Sequence, residues 1–380
     1  MKVDEIAQRG FALHQTFPPR FGWLKKSFDL ASADGKVFSD DEATVKLGVG
    51  KNMVDAIAFW SQAFHILDVQ KSPKKKESSL YVPTAFGTLM FDETSGLDPY
   101  LEIPHSLWLL HWMSLQPTSR LPAWWLTFSE FERTEFSSKE LEDFIHETVL
   151  VTSWKYDNKK SIERDVDCLL RMYSPRLKKS RLTIDDYLDS PFRDLGIIRP
   201  SSLETGGYRF QLGDKPNLDA KLVVLTCIHY MMQLNSFSAT VPHLLNDSGA
   251  PGKIFRLSES SLASYLHEGI QNIEGVKIAT PAGVTQLVIE NEYSEIVIQL
   301  LGALYFSDTP PNHLKSLVIE TFANQDKKDA EDGAVEEVRE DAGSKRSPSK
   351  RVKKSDGVPS EAIKNRKKAK PRPKPEKKSQ

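Results

Sequence analysis

A glycine turn, Gly48-Val49-Gly50, stands between two helical patterns and constrains the first hundred residues more than any other feature. Ahead of it, Phe21, Leu24, Phe28 and Ala31 recur at helical spacing in a helix opened by Pro18 and Pro19. Ser39 is placed to cap a short helix over residues 40–47, whose first turn is acidic. Behind the turn, Met53, Ile57, Trp60, Phe64 and Leu67 form the apolar stripe of a longer helix from Lys51 to about Leu67. A short extended piece over 68–70, a basic turn Lys71-Ser72-Pro73-Lys74-Lys75-Lys76 and a strand over 80–83 then make a hairpin with a basic tip. Thr84-Ala85-Phe86-Gly87 starts one more helical turn ending near Phe91.

Three helices followed by a basic-tipped hairpin give the order of a winged helix-turn-helix over residues 1–100. There the second helix of the turn enters the major groove and the hairpin meets phosphates. An ordinary small helical domain that mediates protein contacts fits the same order. On the DNA reading, burial of Met53, Ile57 and Trp60 leaves Lys51, Asn52 and Asp55 on the exposed side. Lys51 and the N–H groups of the helix start are offered to a phosphate. Asn52 either pairs with an adenine edge or merely caps the helix. Lys74, Lys75 and Lys76 sit at the hairpin tip, and Arg20, Lys25 and Lys26 of the first helix add phosphate contacts.

Residues 101–189 read as an aromatic-rich helical segment. Leu107, Trp108, Leu110, His111, Trp112 and Leu115 crowd one helix, and Trp124, Trp125, Phe128 and Phe131 the next. Such stripes are core rather than base-stacking platforms. Ser137-Ser138-Lys139-Glu140 is a capping box ahead of Leu141, Phe144 and Ile145. A helix over 159–173 turns Ile162, Val166, Leu169, Leu170 and Tyr173 inward and stops at Ser174-Pro175.

Residues 190–323 form a second α-rich unit. Short strands fall at 195–198 and 208–212, and helices at 218–234 and 258–273. A strand at 276–279 returns to helix from Thr280 towards Val288, and helices at 293–306 and 312–322 close the body. The run Tyr81-Val82-Pro83-Thr84-Ala85-Phe86-Gly87 is echoed by Lys277-Ile278-Ala279-Thr280-Pro281-Ala282-Gly283, which suggests a second winged-helix-like unit. The fold class is therefore mainly α.

All seven Trp and nineteen Phe precede residue 324, after which apolar residues almost vanish. Residues 324–380 read as a disordered tail, acidic and then basic. Residues 326–341 carry a net charge of about −5, and residues 342–380 about +12. The basic part favours polyanions by counterion release, without sequence choice; a solubilising tail is the plain alternative. The formal net charge of −1 thus hides a body of about −8. A body of that sign does not coat DNA over its whole surface, and confines any DNA site to a local patch. Cys168 and Cys227 lie in apolar helical stripes, as buried thiols of a reducing cytoplasm rather than a disulfide or metal pair. No run of about 18 apolar residues exists, and residues 1–10 hold no apolar signal region, so a cytoplasmic location is expected.

No motif carries an evident catalytic apparatus. Gly48-Val49-Gly50-Lys51-Asn52 hints at a phosphate loop, but Val45 stands where that loop needs Gly, and Asn52 where it needs Ser or Thr. His146-Glu147 lacks the second His of a zincin, and no Cys/His cluster has zinc spacing. His313, Lys315 and Glu320 mimic the spacing of phospholipase-D-type nucleases, in one copy and on a helical pattern. Asp40, Asp41 and Glu42, or Glu163, Asp165 and Asp167, are acids that a magnesium ion would accept; ordinary helix-surface acids are the plain reading.

Several runs resemble a bacterial family long catalogued as a domain of unknown function. They are His14 with Phe17 and Arg20-Phe21-Gly22-Trp23-Leu24-Lys25-Lys26, then Leu47-Gly48-Val49-Gly50-Lys51-Asn52-Met53-Val54. Asp98-Pro99-Tyr100-Leu101-Glu102, Leu107-Trp108-Leu109-Leu110-His111-Trp112, Glu163-Arg164-Asp165-Val166-Asp167-Cys168, Ser190-Pro191-Phe192 and Leu195-Gly196 follow. The resemblance spans roughly residues 15–306 and leaves the basic tail outside. It implies the company of a phosphoadenosine-phosphosulfate-reductase-like protein and a cysteine desulfurase in anti-phage defence. The functional analogue it implies is the B component of the Ssp DNA phosphorothioation system. DNA binding follows from that likeness, with a nicking activity that would call for magnesium or manganese. No catalytic residue carries over, because the family's motifs have no assigned chemistry. Three readings stay open: a DNA-binding component with nickase activity, a non-enzymatic winged-helix adaptor or regulator, and a protein scaffold without DNA contact.

Overall fold

The aromatic stripes of the sequence are buried helix faces. The structure is a computed structural model that describes residues 2–70, 79–174, 190–201, 207–306 and 313–323. Met1–Asp329 group as one unit and Ala330–Gln380 as another; the latter lies outside the described residues. So does the whole of the expected acidic and basic tail over 324–380. Helices α1 (Val3–Ile6), α2 (Trp23–Ala33), α3 (Ala43–Leu47) and α4 (Lys51–Ala63) come first. Strands β1 (Leu67–Gln70) and β2 (Leu80–Pro83) follow, and then α5 (Ala85–Phe91).

The first hundred residues keep the expected order with shifted bounds. Phe21 is 60% exposed and precedes α2, which starts after Gly22 in the left-handed region at φ 77°. Leu24, Phe28 and Ala31 are buried as expected. Ser39 ends a 3-10 turn rather than capping a helix over 40–47. Asp40 accepts the Glu42 N–H at 2.8 Å instead, and the helix proper begins at Ala43. Helix α4 stops at Ala63, because His65 turns the chain at φ 55° towards β1. Phe64 and Leu67 are nevertheless buried. The strands pair antiparallel from Leu67 opposite Pro83 to Gln70 opposite Leu80. Thr84 caps α5 by accepting the Gly87 N–H at 2.8 Å.

The middle comprises α6 (Pro104–Ser114), α7 (Pro122–Trp125) leading into a π-helical turn Leu126–Glu130, β3 (Glu135–Phe136), α8 (Ser138–Val151) and α9 (Lys159–Tyr173). Residues 106–114 of α6 are all buried, so this helix is core on every side. Its buried His111 and Trp112 find partners inside the protein. His111 Nδ1 meets the Tyr173 hydroxyl at 2.8 Å, and the Trp112 Nε1–H donates to His229 Nδ1 at 2.9 Å. Burial pushes the His111 pKa down to about 4, which keeps the ring neutral. Ser137 and Glu140 form the expected capping box at the start of α8.

The last part holds β4 (Ile198–Pro200), β5 (Tyr208–Phe210), α10 (Ala220–Gln233), β6 (Ser238–Thr240), α11 (Val241–Asn246), α12 (Pro251–Ile254) and α13 (Glu259–Gly269). Strands β7 (Val276–Ala279) and β8 (Gln286–Ile289) and helices α14 (Tyr293–Tyr305) and α15 (Leu314–Val318) complete it. The expected strand over 195–198 begins only at Ile198, after a 3-10 turn Pro191–Leu195. The expected helix from Thr280 to Val288 is a correction: Pro281–Gly283 is a turn, and β8 pairs antiparallel with β7 and β6. Among the described residues there are three small sheets, ordered β1-β2, β3-β5-β4 and β6-β8-β7. No helix among these residues is long and apolar enough to cross a membrane. Cys168 and Cys227 are free and fully buried on α9 and α10.

Candidate nucleic-acid interface

The turn between α3 and α4 is fixed by backbone hydrogen bonds. Gly48 sits in the left-handed region at φ 65°, a conformation glycine adopts without a Cβ penalty. Its N–H bonds Val45 O at 3.1 Å, and the Val49 N–H bonds Thr44 O at 3.1 Å. These are the paired bonds of a Schellman ending. Gly50 then opens α4 in extended backbone, with no side chain capping the helix. The Met53 and Val54 N–H groups return to Gly50 O at 2.9 and 3.1 Å. The N–H groups of Lys51 and Asn52 are left as the helix's natural anion-facing donors.

Lys51, Asn52 and Asp55 are exposed, as the apolar stripe requires. Met53 is half-buried, while Ile57 and Trp60 are closed off from solvent. From Ala56 to the end of α4 only Gln62 escapes full burial. The Trp60 Nε1–H donates to Phe17 O at 2.8 Å and pins this end inside the protein. The helix therefore offers its first turn to a partner, not its length.

The candidate cations divide. Lys26 is exposed and its Nζ donates to Leu47 O at 3.1 Å, which brings a positive charge to the glycine turn beside Lys51. Lys25 turns the other way. Its Nζ lies 2.7 Å from Asp29 and 2.8 Å from Glu93, 5.5 Å from the Tyr100 ring centroid. Burial of this ammonium works to lower its pKa, but hydrogen bonds to the two carboxylates outweigh it and hold Lys25 above the usual lysine value. Its charge is thus spent inside the protein. Arg20 is half-buried over the Trp23 ring, 5.7 Å from its centroid. Lys74, Lys75 and Lys76 lie outside the described residues.

A second run of helices ending in a hairpin lies later in the chain, with an extra strand, β6, and an extra short helix, α12, that the first lacks. Helix α10, strand β6, helices α11 and α13, and the hairpin β7–β8 follow one another, and β6 pairs on the outer edge of β8. The sequence echo matched β2 with β7; by chain order the counterpart of β2 is β8, since each is the second hairpin strand and precedes a helix. Helices α11 and α12 and strand β6 were missed in the sequence. Their signals are Thr240, whose hydroxyl accepts the His243 N–H at 3.4 Å, and the Pro near the start of each helix. The exposed side of α13 carries Glu259, Ser260, Ser264, His267 and Glu268, and no lysine or arginine.

The acidic candidates do not converge. Asp40 pairs with Lys46, and Asp167 with Arg171 at 3.0 Å. Asp165 is buried against His14. Among the described residues no three His, Cys, Asp or Glu side chains form a group that could hold a magnesium or manganese ion. His313, Lys315 and Glu320 are exposed along one helical stretch, as expected of a helix surface.

A family model described as a protein of unknown function, DUF4007, matches residues 11–305. No curated protein matches the chain. An SspB crystal structure is similar with a TM-score of 0.76 at 28% identity, covering 89% of this chain and 99% of that one. A magnesium-ion-bound SspB crystal structure is similar with a TM-score of 0.74 at 28% identity, covering 84% of this chain and 98% of that one.

Proposed function

From the premise that the chain belongs to the DUF4007 family, we propose that it is the DNA-binding component of a sulfur-based DNA modification system of the phosphorothioation type, acting in anti-phage defence. The observation that carries this reading is the likeness to SspB over nearly all of that protein's length. A phosphoadenosine-phosphosulfate-reductase-like protein and a cysteine desulfurase are its expected partners. Two runs of helices each followed by an antiparallel hairpin, which we read as winged-helix-like, support the reading. Lys26, Lys51 and Asn52 gather at the turn of the first, where such folds meet DNA. The second presents an acidic helix in the corresponding place, which suits a protein partner better than phosphates.

A second reading, a winged-helix adaptor that delivers DNA to a partner enzyme without cutting it, is favoured by the scattering of the acidic candidates. One experiment tests both. Purified protein is incubated with supercoiled plasmid, alone and with magnesium or manganese. Retarded, uncut plasmid supports the adaptor. Metal-dependent open circles support a nickase. Plasmid that migrates as if no protein were present overturns DNA binding altogether.

A further inference from the structure

The β3-β5-β4 sheet lies outside both winged-helix-like arrangements. Its register sets Arg199 directly opposite Arg209, with Glu135 opposite Arg209 on the other side. The two-residue period of a strand puts these three on one face and Phe136, Ile198 and Phe210 on the other, where they are buried. Directly opposed side chains in an antiparallel pair have Cβ atoms about 4.5–5.5 Å apart, and like charges there are destabilising. Both arginines are exposed.

Among the described residues neither arginine makes an ion pair, whereas neighbouring cations do: Arg133 with Glu140, Lys139 with Asp143 and Lys253 with Glu132. Glu135 accepts from the Ser201 hydroxyl at 3.2 Å rather than from Arg209. Gly196 adds a constraint. It sits at φ 61°, and a Cβ there would lie 3.2 Å from an Arg199 guanidinium nitrogen, so glycine leaves the room this side chain occupies. In a body of about −8, two directly opposed arginines that share their face with one carboxylate, Glu135, and make no ion pair with it are a local exception.

We propose that Arg199 and Arg209 form a phosphate-binding pair that holds a nucleic-acid backbone on the solvent face of this sheet. A bound phosphate relieves the repulsion between the two charges, and each planar fork supplies two parallel N–H donors to its oxygens. The choice of a nucleic acid as the source of the phosphate rests on the DNA reading above.

The test is the double variant Arg199→Gln/Arg209→Gln in the full chain, with far-UV circular dichroism to verify folding. Two lost phosphate contacts should weaken duplex binding alike on all sequences and flatten the log–log salt slope by about 2. A second arm uses inorganic pyrophosphate, which should raise the melting temperature of the parent and not of the variant. A pyrophosphate effect lost in the variant, with no DNA binding by the parent, would sink the DNA reading and leave the phosphate site standing. Identical salt slopes and identical pyrophosphate responses overturn the proposal. So does a polyglutamate peptide that binds the parent but not the variant while DNA binding is unchanged, since the pair would then serve an acidic protein. Should the double variant fail to fold, Arg199→Lys/Arg209→Lys keeps both charges and loses the forks. It should keep the salt slope and bind pyrophosphate more weakly; pyrophosphate binding equal to the parent's would refute the pair's role.

Discussion

His14 donates from Nε2 to the Asp165 carboxylate at 2.7 Å, and both side chains are closed off from solvent. The Thr16 N–H donates to His14 Nδ1 at 3.0 Å, which places the ring proton on Nε2, while the Ala12 N–H reaches the same Asp165 oxygen at 2.7 Å. The pair ties the loop before α2 to the middle of α9. Burial holds the Asp165 carboxyl above its usual range, against the opposing pull of the His14 and Ala12 bonds. An acid whose folded pKa is raised contributes stability below its unfolded value, about pH 4, and that contribution is lost as pH rises through the folded value. Asp165→Asn keeps an acceptor for both donors without the charge. It should therefore gain on the parent as pH climbs from about 4 to 7. His14→Ala leaves the buried carboxylate with one donor and should cost about 3 kcal/mol or more. Urea melts across that pH range check both, and a parent-to-Asn difference that stays constant with pH would refute the assignment.

Cys168 and Cys227 should resist thiol reagents in the native protein. Both are fully buried, and burial pushes both thiols well above their usual pKa, which suppresses the reactive thiolate. Labelling with a chromogenic disulfide should be slow until denaturant is added. A burst of native labelling at either position would show that its helix opens locally.

The capping box at α8 gives a clean stability probe. Ser137 Oγ accepts the Glu140 N–H at 3.2 Å, and the Ser137 N–H donates to the Glu140 carboxylate at 2.8 Å. Ser137→Ala should cost about 1 kcal/mol, read as a fall in urea midpoint at unchanged m-value. Because α8 lies outside the proposed DNA contacts, duplex affinity should be unaltered by the same change.

What the sequence made legible was local. Leu80–Pro83, Lys159–Tyr173 and Val276–Ala279 agree residue for residue with expectation, because apolar period, strand alternation and flanking turn residues all act within a few positions. The misses needed partners far along the chain. Strand β3 is two residues long and exists only through Tyr208 and Arg209. Thr280-Pro281 looks like a helix cap followed by Pro, yet β7 and β8 close on each other there because β6 supplies the third strand. Helices of six and four residues, α11 and α12, are too short to show a period. At the candidate site, the exposed start of α4 was visible from Met53, Ile57 and Trp60. The fate of Lys25 was not, since Glu93 arrives from beyond α5.

The glycine turn is where the DNA reading is most exposed to disproof. Lys51 and Asn52 stand at the uncapped start of α4, and Lys26 is held to Leu47 O on the other side of the turn. Lys51→Ala with Asn52→Ala should reduce binding to a cognate duplex, since one good base contact is worth about 1–3 kcal/mol. Lys26→Ala should weaken all duplexes alike, as a lost phosphate contact does. A Lys74/Lys75/Lys76 triple alanine change, at the expected hairpin tip, should act in the same uniform way. Lys25→Ala behaves differently: it leaves Asp29 and Glu93 without their shared cation, so its effect should appear in melting curves rather than in DNA affinity. If Lys51 and Asn52 merely begin a helix, their loss shifts only stability, and by little, because no side chain caps α4. Titrations on cognate and random duplexes, paired with thermal melts, separate the two cases. Parent-like affinity in both the Lys51/Asn52 and the Lys26 variants would remove this turn from the DNA surface, whatever the plasmid experiment shows.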